Sequence, residues 1–328
     1  MKLSLKLPKI GSRKVAIDWG SSALKIVAAT RLKESYLITD FSYQKVEEEL
    51  SGILSRLWQE KKFPLYNVIL ALDGASTLVR VVEFPRMDKK MIKGALGFEL
   101  SRYIPFSQDE VYFDCSVLDM PTASGDLKLL VAAAKKDFVD EKLAVLEEAG
   151  IIPTAITLSP ISLVNAFSRF FPQSDAPIGI LDLGFSYSMI TIVYKNNIYL
   201  SREVKKGVKD IFARLTSRLG KEVKDFQDLI SKKKELTPEV FADVSADLVE
   251  EIRLSLDYLE TKENLAVKRI YTTGGLTASE GLMQVLGSSL GMELSAFDIL
   301  KSFSYTSVVK TEIEEREGNL SVAVSSLL

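Results

Sequence analysis

The segment that begins at Asp18 combines residue types that suit phosphate binding. Gly20, Ser21 and Ser22 come directly after it, and Lys25 lies seven residues beyond the aspartate. Phosphate binding needs backbone amides near the oxygens, a cation, and a carboxylate that holds Mg²⁺, usually through water. Here the glycine permits close approach, the serines add donors, and the lysine can return to the phosphates. Taken alone, such a segment is more often an ordinary hairpin turn.

A second segment of the same type begins at Asp182 and continues through Gly184 and Ser186. Asp18 and Asp182 lie 164 residues apart, half of the 328-residue chain, and each opens an Asp-x-Gly turn that carries serines. Apolar runs flank both turns, so each predicts a strand, a turn and a strand. Two copies of one unit that face each other would place two hairpins on opposite sides of a triphosphate and its metal.

A third glycine turn lies between a predicted strand and a predicted helix. Gly274 and Gly275 follow the run RIYTT, and Leu276 leads into SEGLMQVLGSSLG. Glycines at such a junction let the chain pass close to a nucleotide whose negative charge faces the helix N-terminus. As a lone feature this would more often be a structural turn. Together with the two hairpins it predicts the nucleoside side of the same site.

The elements around these turns predict two α/β domains with an insertion. A chain of 328 residues exceeds the usual size of one hydrophobic core, so two domains are expected. Residues 85–152 mix helical periodicity with strand-like runs and are long enough for an inserted α+β subdomain. After Gly207 the pattern becomes largely helical, with a long helix from Pro238 to Thr261.

Composition excludes several classes of chemistry. The chain has no histidine, so catalytic triads that depend on imidazole are excluded. Its single cysteine, Cys115, has no partner for a disulfide within the chain and fits a reducing compartment. No secretory signal is recognisable, so we expect a cytoplasmic protein.

Charge is distributed unevenly along the chain. The net charge is −2, but residues 1–14 contain five basic side chains and no acidic one. A basic tail of this kind can contact anionic lipid headgroups weakly, and a solvated terminus explains it equally well. The rest of the chain is acidic, so no general basic field favours nucleic acid.

The order of the three turns resembles that of the actin, DnaK and FtsA superfamily. VAIDWGSSALKIV is similar to its first phosphate motif, ILDLGFSYSMITI to its second, and YTTGGLTASEGL to its adenosine motif. The resemblance covers nearly the whole chain. It implies the α/β actin-like ATPase fold, with two duplicated ribonuclease H-like domains and a small α+β insert subdomain. It also implies ATP and Mg²⁺ in the cleft, with Asp18 and Asp182 holding the metal through water.

The same resemblance implies domain boundaries and further contacts. The basic tail is expected over 1–14, the first domain over 15–175 plus 305–328 with the insert at about 85–152, and the second domain over 176–304. Lys25 matches the lysine of the first hairpin that contacts phosphate. Glu250 and Arg253, one helical turn apart, resemble the pair that borders the adenosine, although a solvated ion pair explains their spacing equally well.

Within the superfamily, the chain resembles the PilM family of type IV pilus assembly proteins. The resemblance rests on the basic tail before VAIDWGSSALKIV, on FELSRYIPFSQDEVYFDCSVL in the insert, and on Gly207 after EVKK. It implies a scaffold at the inner face of the cytoplasmic membrane that captures the cytoplasmic N-terminal peptide of a PilN-like membrane protein. The candidate peptide contacts are four neighbours in the insert: Tyr103, Ile104, Pro105 and Phe106. A turn that packs into the insert's own core is an equally good interpretation.

Two positions depart from the relatives that hydrolyse ATP quickly. Those proteins usually carry an acid before the proline of the connecting helix, where it orients the attacking water. Here Ser159 precedes Pro160, and a hydroxyl cannot act as that base. Ser186 stands where fast hydrolysers carry another glycine. We therefore expect ATP binding with slow or absent turnover and assign no catalytic residue. The C-terminal GNLSVAVSSLL resembles the last connecting helix, at the hinge between the domains.

Three other functions fit the same motifs. A small-molecule kinase on this fold would need an acid or base beside an acceptor pocket, and the sequence nominates none. A filament-forming cytoskeletal ATPase resembling FtsA would assemble in response to nucleotide. An adaptor resembling the cytoplasmic part of the secretion protein GspL would keep the fold without binding nucleotide, but three intact glycine turns argue against it.

Overall fold

The computed structural model describes residues 13–33, 35–46, 50–65, 67–120, 122, 124–172, 174–223, 236–306, 309 and 317–328. This part of the chain forms three β-sheets, which have six, five and three strands. The predicted basic tail lies outside the described residues, apart from Arg13 and Lys14 at its end.

The six-stranded sheet is built on the hairpin that carries Asp18. Its strands in spatial order are β14 (Ser304–Tyr305), β3 (Tyr36–Lys45), β2 (Ala23–Arg31), β1 (Arg13–Trp19), β4 (Val68–Leu72) and β8 (Ala155–Leu158). β1 pairs antiparallel with β2 and parallel with β4. The middle of the sheet is almost wholly buried, which explains why its strands read as continuous apolar runs.

The five-stranded sheet repeats this arrangement around Asp182. Its strands in spatial order are β11 (Asn197–Val204), β10 (Ser188–Tyr194), β9 (Ile178–Leu183), β12 (Arg269–Gly274) and β13 (Glu293–Ala296). β9 pairs antiparallel with β10 and parallel with β12, as β1 does with β2 and β4. Asp18 and Asp182 are each the second-last residue of the first strand. The predicted duplication is therefore confirmed at the level of strand order.

Helices cover the sheets, and local sequence explains where several of them begin and end. In chain order they are α1 (Leu50–Lys61), α2 (Lys89–Phe98), α3 (Leu100–Tyr103), α4 (Lys136–Glu148), α5 (Ser159–Phe170), α6 (Val208–Leu219), α7 (Pro238–Glu263), α8 (Glu280–Leu290) and α9 (Ser321–Ser326). Thr237 caps α7 by accepting a hydrogen bond from the Val240 amide. Gly291, in the left-handed conformation, ends α8. No helix in the described ranges is long and apolar enough to cross a membrane.

The three-stranded sheet forms a small core of its own. Its strands in spatial order are β5 (Thr77–Phe84), β7 (Leu127–Lys135) and β6 (Val111–Leu118), and α2 and α3 pack against it. Phe84 and Leu129 lie at the centre of this core. β5 precedes the expected start of the insert at residue 85. At the other end, Val139 and Leu146 of α4 pack in the core of the six-stranded sheet.

Two helices, α5 and α9, join the large sheets. α5 packs against β4 of one sheet and β10 of the other. α9 is buried throughout and contributes Val322 and Val324 to the core around β1. The hydroxyls of Ser326 and Ser162 lie 2.9 Å apart across the two helices. Lys14 Nζ donates to the carbonyl oxygen of Leu327 at 2.9 Å, so the last residues complete the core beside the first strand.

Candidate functional site

A cavity of about 540 Å³ lies at the carboxyl ends of β1 and β9, where the three glycine turns meet. The predicted residues that line it are Asp18, Gly20, Ser21, Ser22, Lys25, Asp182, Gly184, Gly274, Gly275 and Leu276. Lining residues that the sequence did not nominate include Tyr43, Asp73, Tyr187, Phe212 and Asn319. The duplicated sheets therefore bring motifs from both halves of the chain to one place.

The first turn brings Lys25 back against Asp18. The two residues are direct neighbours in the register of β1 and β2, and Lys25 Nζ donates to Asp18 Oδ2 at 2.8 Å. The turn is closed by a hydrogen bond from the Gly20 amide to the carbonyl oxygen of Ala23. A Cβ on Gly20 would lie 3.3 Å from Lys25 Nζ, so glycine leaves room for the ammonium group.

The second turn is fastened to the start of α6. The amides of Val208 and Lys209 donate to the carbonyl oxygens of Gly184 and Phe185, both at 3.0 Å. A Cβ on Gly207 would lie 2.3 Å from the Phe185 oxygen, which explains why glycine precedes this helix. The backbone of the second turn is therefore held rigidly beside the cavity.

The third turn packs directly on the second. Gly274 has a φ of +106°, and a Cβ on it would lie 2.3 Å from the carbonyl oxygen of Leu183. The Thr277 hydroxyl and amide both donate to the Gly274 oxygen. A Cβ on Gly275 would lie 2.9 Å from the side-chain oxygen of Asn319. These glycines are needed for packing within the protein as well as for any close approach of a ligand.

Carboxylates dominate the electrostatics of the cavity. Asp18 is 1% exposed and Asp182 lies in the same cavity, with Lys25 as their shared cation. Burial raises the pKa of Asp182 to about 6, and the charge of Asp18 adds to that effect. For Lys25, burial alone lowers the pKa, but the adjacent Asp18 outweighs it and the pKa is raised. Lys25 is therefore held as an ammonium ion beside the aspartates.

Asp73 and Tyr187 complete the cavity, and sequence patterns alone did not nominate either. Asp73 directly follows β4, the parallel neighbour of β1, so it reaches the same edge of the sheet as Asp18. Tyr187 Oη donates to Asp73 Oδ1 at 2.5 Å. Burial, followed by the charge of Asp18, raises the pKa of Asp73 to about 7. The signal that could have identified Asp73 is the apolar run VILAL ending at Asp-Gly.

The charge of the cavity and its polar groups fit a nucleotide with a divalent metal ion. When Asp18, Asp73 and Asp182 are ionised and Lys25 and Lys45 are protonated, these five lining side chains carry a net charge of −1, so a divalent cation would be needed beside a polyphosphate. In the described part of the chain, no group of three or more Asp, Glu or Cys side chains is arranged to hold a metal ion directly. Contact through water, which Mg²⁺ favours, is compatible with that arrangement.

Three predicted nucleotide contacts lie away from the cavity walls. Glu250 and Arg253 are exposed on α7, and the Arg253 guanidinium donates to the carbonyl oxygen of Ser289 on α8. Ser186 is half-buried in the second turn, but it does not line the cavity. The structure thus brings the three glycine turns together without these three side chains, and their contact with a nucleotide stays a prediction.

The predicted peptide contacts in the insert pack mainly inward. Ile104 is 2% exposed in the small core, and Tyr103 and Phe106 are half-buried against it. The Tyr103 ring lies 5.7 Å from that of Phe84. Only Pro105 is exposed, and it lines a separate groove of about 820 Å³. Their role as a four-residue contact surface stays a prediction, and the inward packing of Ile104, Tyr103 and Phe106 fits the alternative interpretation as part of the insert's own core.

The hydroxyl of Ser159 is also engaged within the protein. Ser159 is 2% exposed, and its Oγ donates to the carbonyl oxygen of Leu72 at 3.4 Å. It stabilises the contact between the start of α5 and the end of β4. The acidic residue of the cavity that lies nearest to this contact in the sequence is Asp73, which directly follows Leu72.

The duplicated sheets and the aspartate turns between them define an actin-like ATPase fold. Solved structures agree. A PilM-PilN type IV pilus biogenesis complex matches with a TM-score of 0.79 and 20% identity over 98% of both chains. The ethanolamine utilization protein EutJ from Carboxydothermus hydrogenoformans matches with a TM-score of 0.51 and 13% identity, and the match covers 98% of this chain and 90% of the EutJ chain. A Bacteroides thetaiotaomicron protein with an actin-like ATPase fold matches with a TM-score of 0.51 and 9% identity, and the match covers 97% of this chain and 96% of that protein's chain.

Sequence comparison narrows the class to one family. Residues 16–325 match the family model for the type IV pilus assembly protein PilM. The chain therefore belongs to the PilM family. No curated protein matches it in a sequence search.

Proposed function

We propose that this PilM-family protein binds ATP with Mg²⁺ in the cavity and acts as a cytoplasmic scaffold of type IV pilus assembly, with slow or no hydrolysis. One observation carries the proposal: three glycine turns from both halves of the chain converge on one cavity that is lined by three aspartates, of which Asp18 is buried, and by Lys25 and Lys45. Positively charged and hydroxyl donors at glycine turns are the groups that phosphate requires.

The lining residues divide into groups by the part of the ligand they suit. Asp18 and Asp182 hold the hydrated Mg²⁺, which supplies charge neutralisation for the phosphates when it is bound. The residues assigned to the phosphates are Gly20, Ser21, Ser22, Lys25 and Gly184. Gly274 to Leu276 lie on the nucleoside side, followed by the N-terminal end of α8.

Slow or absent turnover is part of the proposal. A general base must reach the water whose proton it removes. Ser159 is buried and bonded to a backbone oxygen, and the carboxylate of Asp73 already accepts a hydrogen bond from Tyr187. The protein therefore keeps ATP bound rather than consuming it, and the nucleotide sets the angle between the domains proposed at 15–175 plus 305–328 and at 176–304.

The proposed partner is the cytoplasmic N-terminal peptide of a PilN-like membrane protein. A PilM-PilN complex is among the solved structures that share this fold. Such a partner would hold the chain at the inner face of the cytoplasmic membrane. Residues 103–106 stay the candidate contacts for the peptide: Pro105 is exposed, Tyr103 and Phe106 are half-buried, and Ile104 packs in the insert's core.

A second candidate function is a small-molecule kinase on the same fold. The observation that favours it is Asp73, a half-buried carboxylate in the cavity whose raised pKa suits proton transfer near neutral pH. Screening sugars and small acids for ATP-dependent phosphorylation separates this function from a scaffold. A phosphorylated product would favour the kinase.

The deciding experiment is a titration of the purified protein with fluorescent ATP and Mg²⁺, followed by analysis of the bound nucleotide after about an hour. We expect saturable binding with the ATP intact. Rapid conversion to ADP would contradict the slow turnover, and absence of binding would contradict the nucleotide role. Titrating the ATP-bound protein with a synthetic PilN N-terminal peptide then tests the partner separately.

A further inference from the structure

The outward face of α2 carries an apolar stripe that nothing in the described structure covers. Phe98 is 90% exposed and Met91 is 64% exposed. They lie seven residues apart, two helical turns, and so share one face. Gly94 lies between them, and a Cβ there would meet no atom within 4 Å. The opposite face of α2 is occupied, because Ile92 and Leu96 pack in the insert's core.

Basic side chains lie near the Met91 end of this stripe, whereas Glu99 follows Phe98 at the other end. Arg86, Lys89, Lys90 and Lys93 lie within or just before α2, and Asp88 is the only acid among residues 86–93. Asp88 is the N-cap and accepts a hydrogen bond from the Lys90 amide. The segment is therefore strongly positive, although the chain as a whole carries −2.

The position of Lys89 and Lys90 is unfavourable for the helix itself. Both lie in the first turn of α2, which contains no acid. The positive end of the helix dipole disfavours cations there. Lys93 is paired with Asp114, whereas the side chains of Lys89 and Lys90 are exposed on the surface of the helix.

We propose that this face of α2 is a membrane contact that binds anionic lipid, with Met91 and Phe98 entering the headgroup region. Apolar tips flanked by lysines are the composition of helices that lie in a lipid interface. The Met91 and Phe98 side chains lie about 10 Å apart along the convex surface of α2. Two separated apolar side chains of this kind fit a deformable lipid surface better than a rigid groove in a protein. The contact adds a direct lipid site to a protein whose proposed function places it at the membrane only through a partner.

The lipid site is separate from the nucleotide cavity. None of the residues of α2 lines that cavity. Met91→Ser with Phe98→Ser, and Lys89→Glu with Lys90→Glu, are therefore expected to bind fluorescent ATP and to unfold in urea as the wild type does. These two measurements show that the variants are folded.

The test is co-sedimentation of the full chain with vesicles of phosphatidylcholine alone or mixed with an equal amount of phosphatidylglycerol. We expect binding only to the mixed vesicles, weakened by salt, and reduced about tenfold by either α2 double variant. The apolar control is Leu65→Ser with Ile152→Ser, two exposed residues outside α2. The charge control is Lys33→Glu with Lys268→Glu, also exposed. Both controls should bind as the wild type does.

Several results would overturn the lipid site. If the wild type ignores both kinds of vesicle, the stripe has another occupant, such as an acidic protein. If the controls lose as much binding as the α2 variants, the attraction is general. If the α2 variants bind normally and only Lys2→Gln with Lys6→Gln releases the protein, the basic tail is the lipid contact instead.

Discussion

Tyr187 donates a hydrogen bond to Asp73 at 2.5 Å and so joins the turn of the five-stranded sheet to the end of β4 in the six-stranded sheet. Asp73 is half-buried in the cavity that Asp18 and Asp182 also line, and the hydroxyl supplies its carboxylate with a hydrogen-bond donor. A Cβ on Gly74 would lie 2.9 Å from the Tyr187 oxygen, which shows how closely the ring fits. The cavity is therefore closed at one side by a contact between the two halves of the chain.

Tyr187→Phe should lower the free energy of unfolding by about 1–2 kcal/mol, because the half-buried carboxylate of Asp73 loses its hydrogen-bond donor. Urea unfolding measures the change. The matched control is Tyr112→Phe, which removes a tyrosine hydroxyl bonded to Asp140 on an exposed surface and should change stability by less than about 0.5 kcal/mol. If both variants lose the same free energy of unfolding, the hydrogen bond from Tyr187 to Asp73 stabilises the protein no more than an exposed hydrogen bond does.

Asp73→Asn should flatten the pH dependence of stability. In the folded protein the pKa of Asp73 is about 7 and that of Asp182 about 6, both above the ordinary value of about 4. Between about pH 4 and pH 7 the folded state therefore holds protons that the unfolded chain has released. Its free energy of unfolding falls as the pH rises through that window. Asparagine keeps the shape and the acceptor but does not titrate.

Urea unfolding at several values between about pH 5 and pH 8 measures this slope. The control is Asp114→Asn, which changes an exposed carboxylate on β6 and should leave the slope as in the wild type. A slope for Asp73→Asn that equals the wild-type slope would show that Asp73 does not titrate in this window.

Asp18→Asn and Asp182→Asn should each weaken binding of MgATP by about tenfold or more, and weaken ADP without metal much less. Both carboxylates are assigned to the hydrated metal, so their contribution depends on its presence. Fluorescent nucleotide titrations with and without Mg²⁺ separate the two effects. Asp257→Asn, on the exposed surface of α7, serves as the control. If the variants bind MgATP and metal-free ADP with equally reduced affinity, the two carboxylates do not act through the metal ion.

Gly274→Ala should destabilise the protein by about 3 kcal/mol or more. Its φ is +106°, and the added Cβ would lie 2.3 Å from the carbonyl oxygen of Leu183. Gly291→Ala is the matched control, because Gly291 also has a positive φ, +68°, but open space around it. We expect it to cost only about 1 kcal/mol. Similar urea midpoints for the two variants would contradict the close packing of the third turn on the second.

Local sequence patterns were sufficient to predict the two hairpins. The direct pairing of Lys25 with Asp18 was not predicted, because it depends on the length of the turn that sets the register of the two antiparallel strands. The repeated pattern at Asp182 extended the same inference to the second sheet, and strand order confirms it.

The partners of Asp73 could not be predicted in that way. Tyr187 lies 114 residues further along the chain, and only the packing of the two sheets brings it to Asp73. The role of residues 103–106 could not be predicted for a related reason. An apolar run after a short helix has the same composition whether it faces a partner or its own core, and the contact of Tyr103 with Phe84 on β5 depends on tertiary packing.

The burial of α9 beside β1 has a consequence for synthesis on the ribosome. Leu320, Val322 and Leu327 belong to the core of the six-stranded sheet, whose first strand begins at Arg13. That core stays incomplete until the chain has been translated through Leu327. The five-stranded sheet needs nothing beyond β13 for its strands, so it can fold first. The six-stranded sheet, whose first strands are translated early, is therefore completed after the five-stranded sheet. Until then its core is exposed, so this part of a nascent chain needs protection against aggregation.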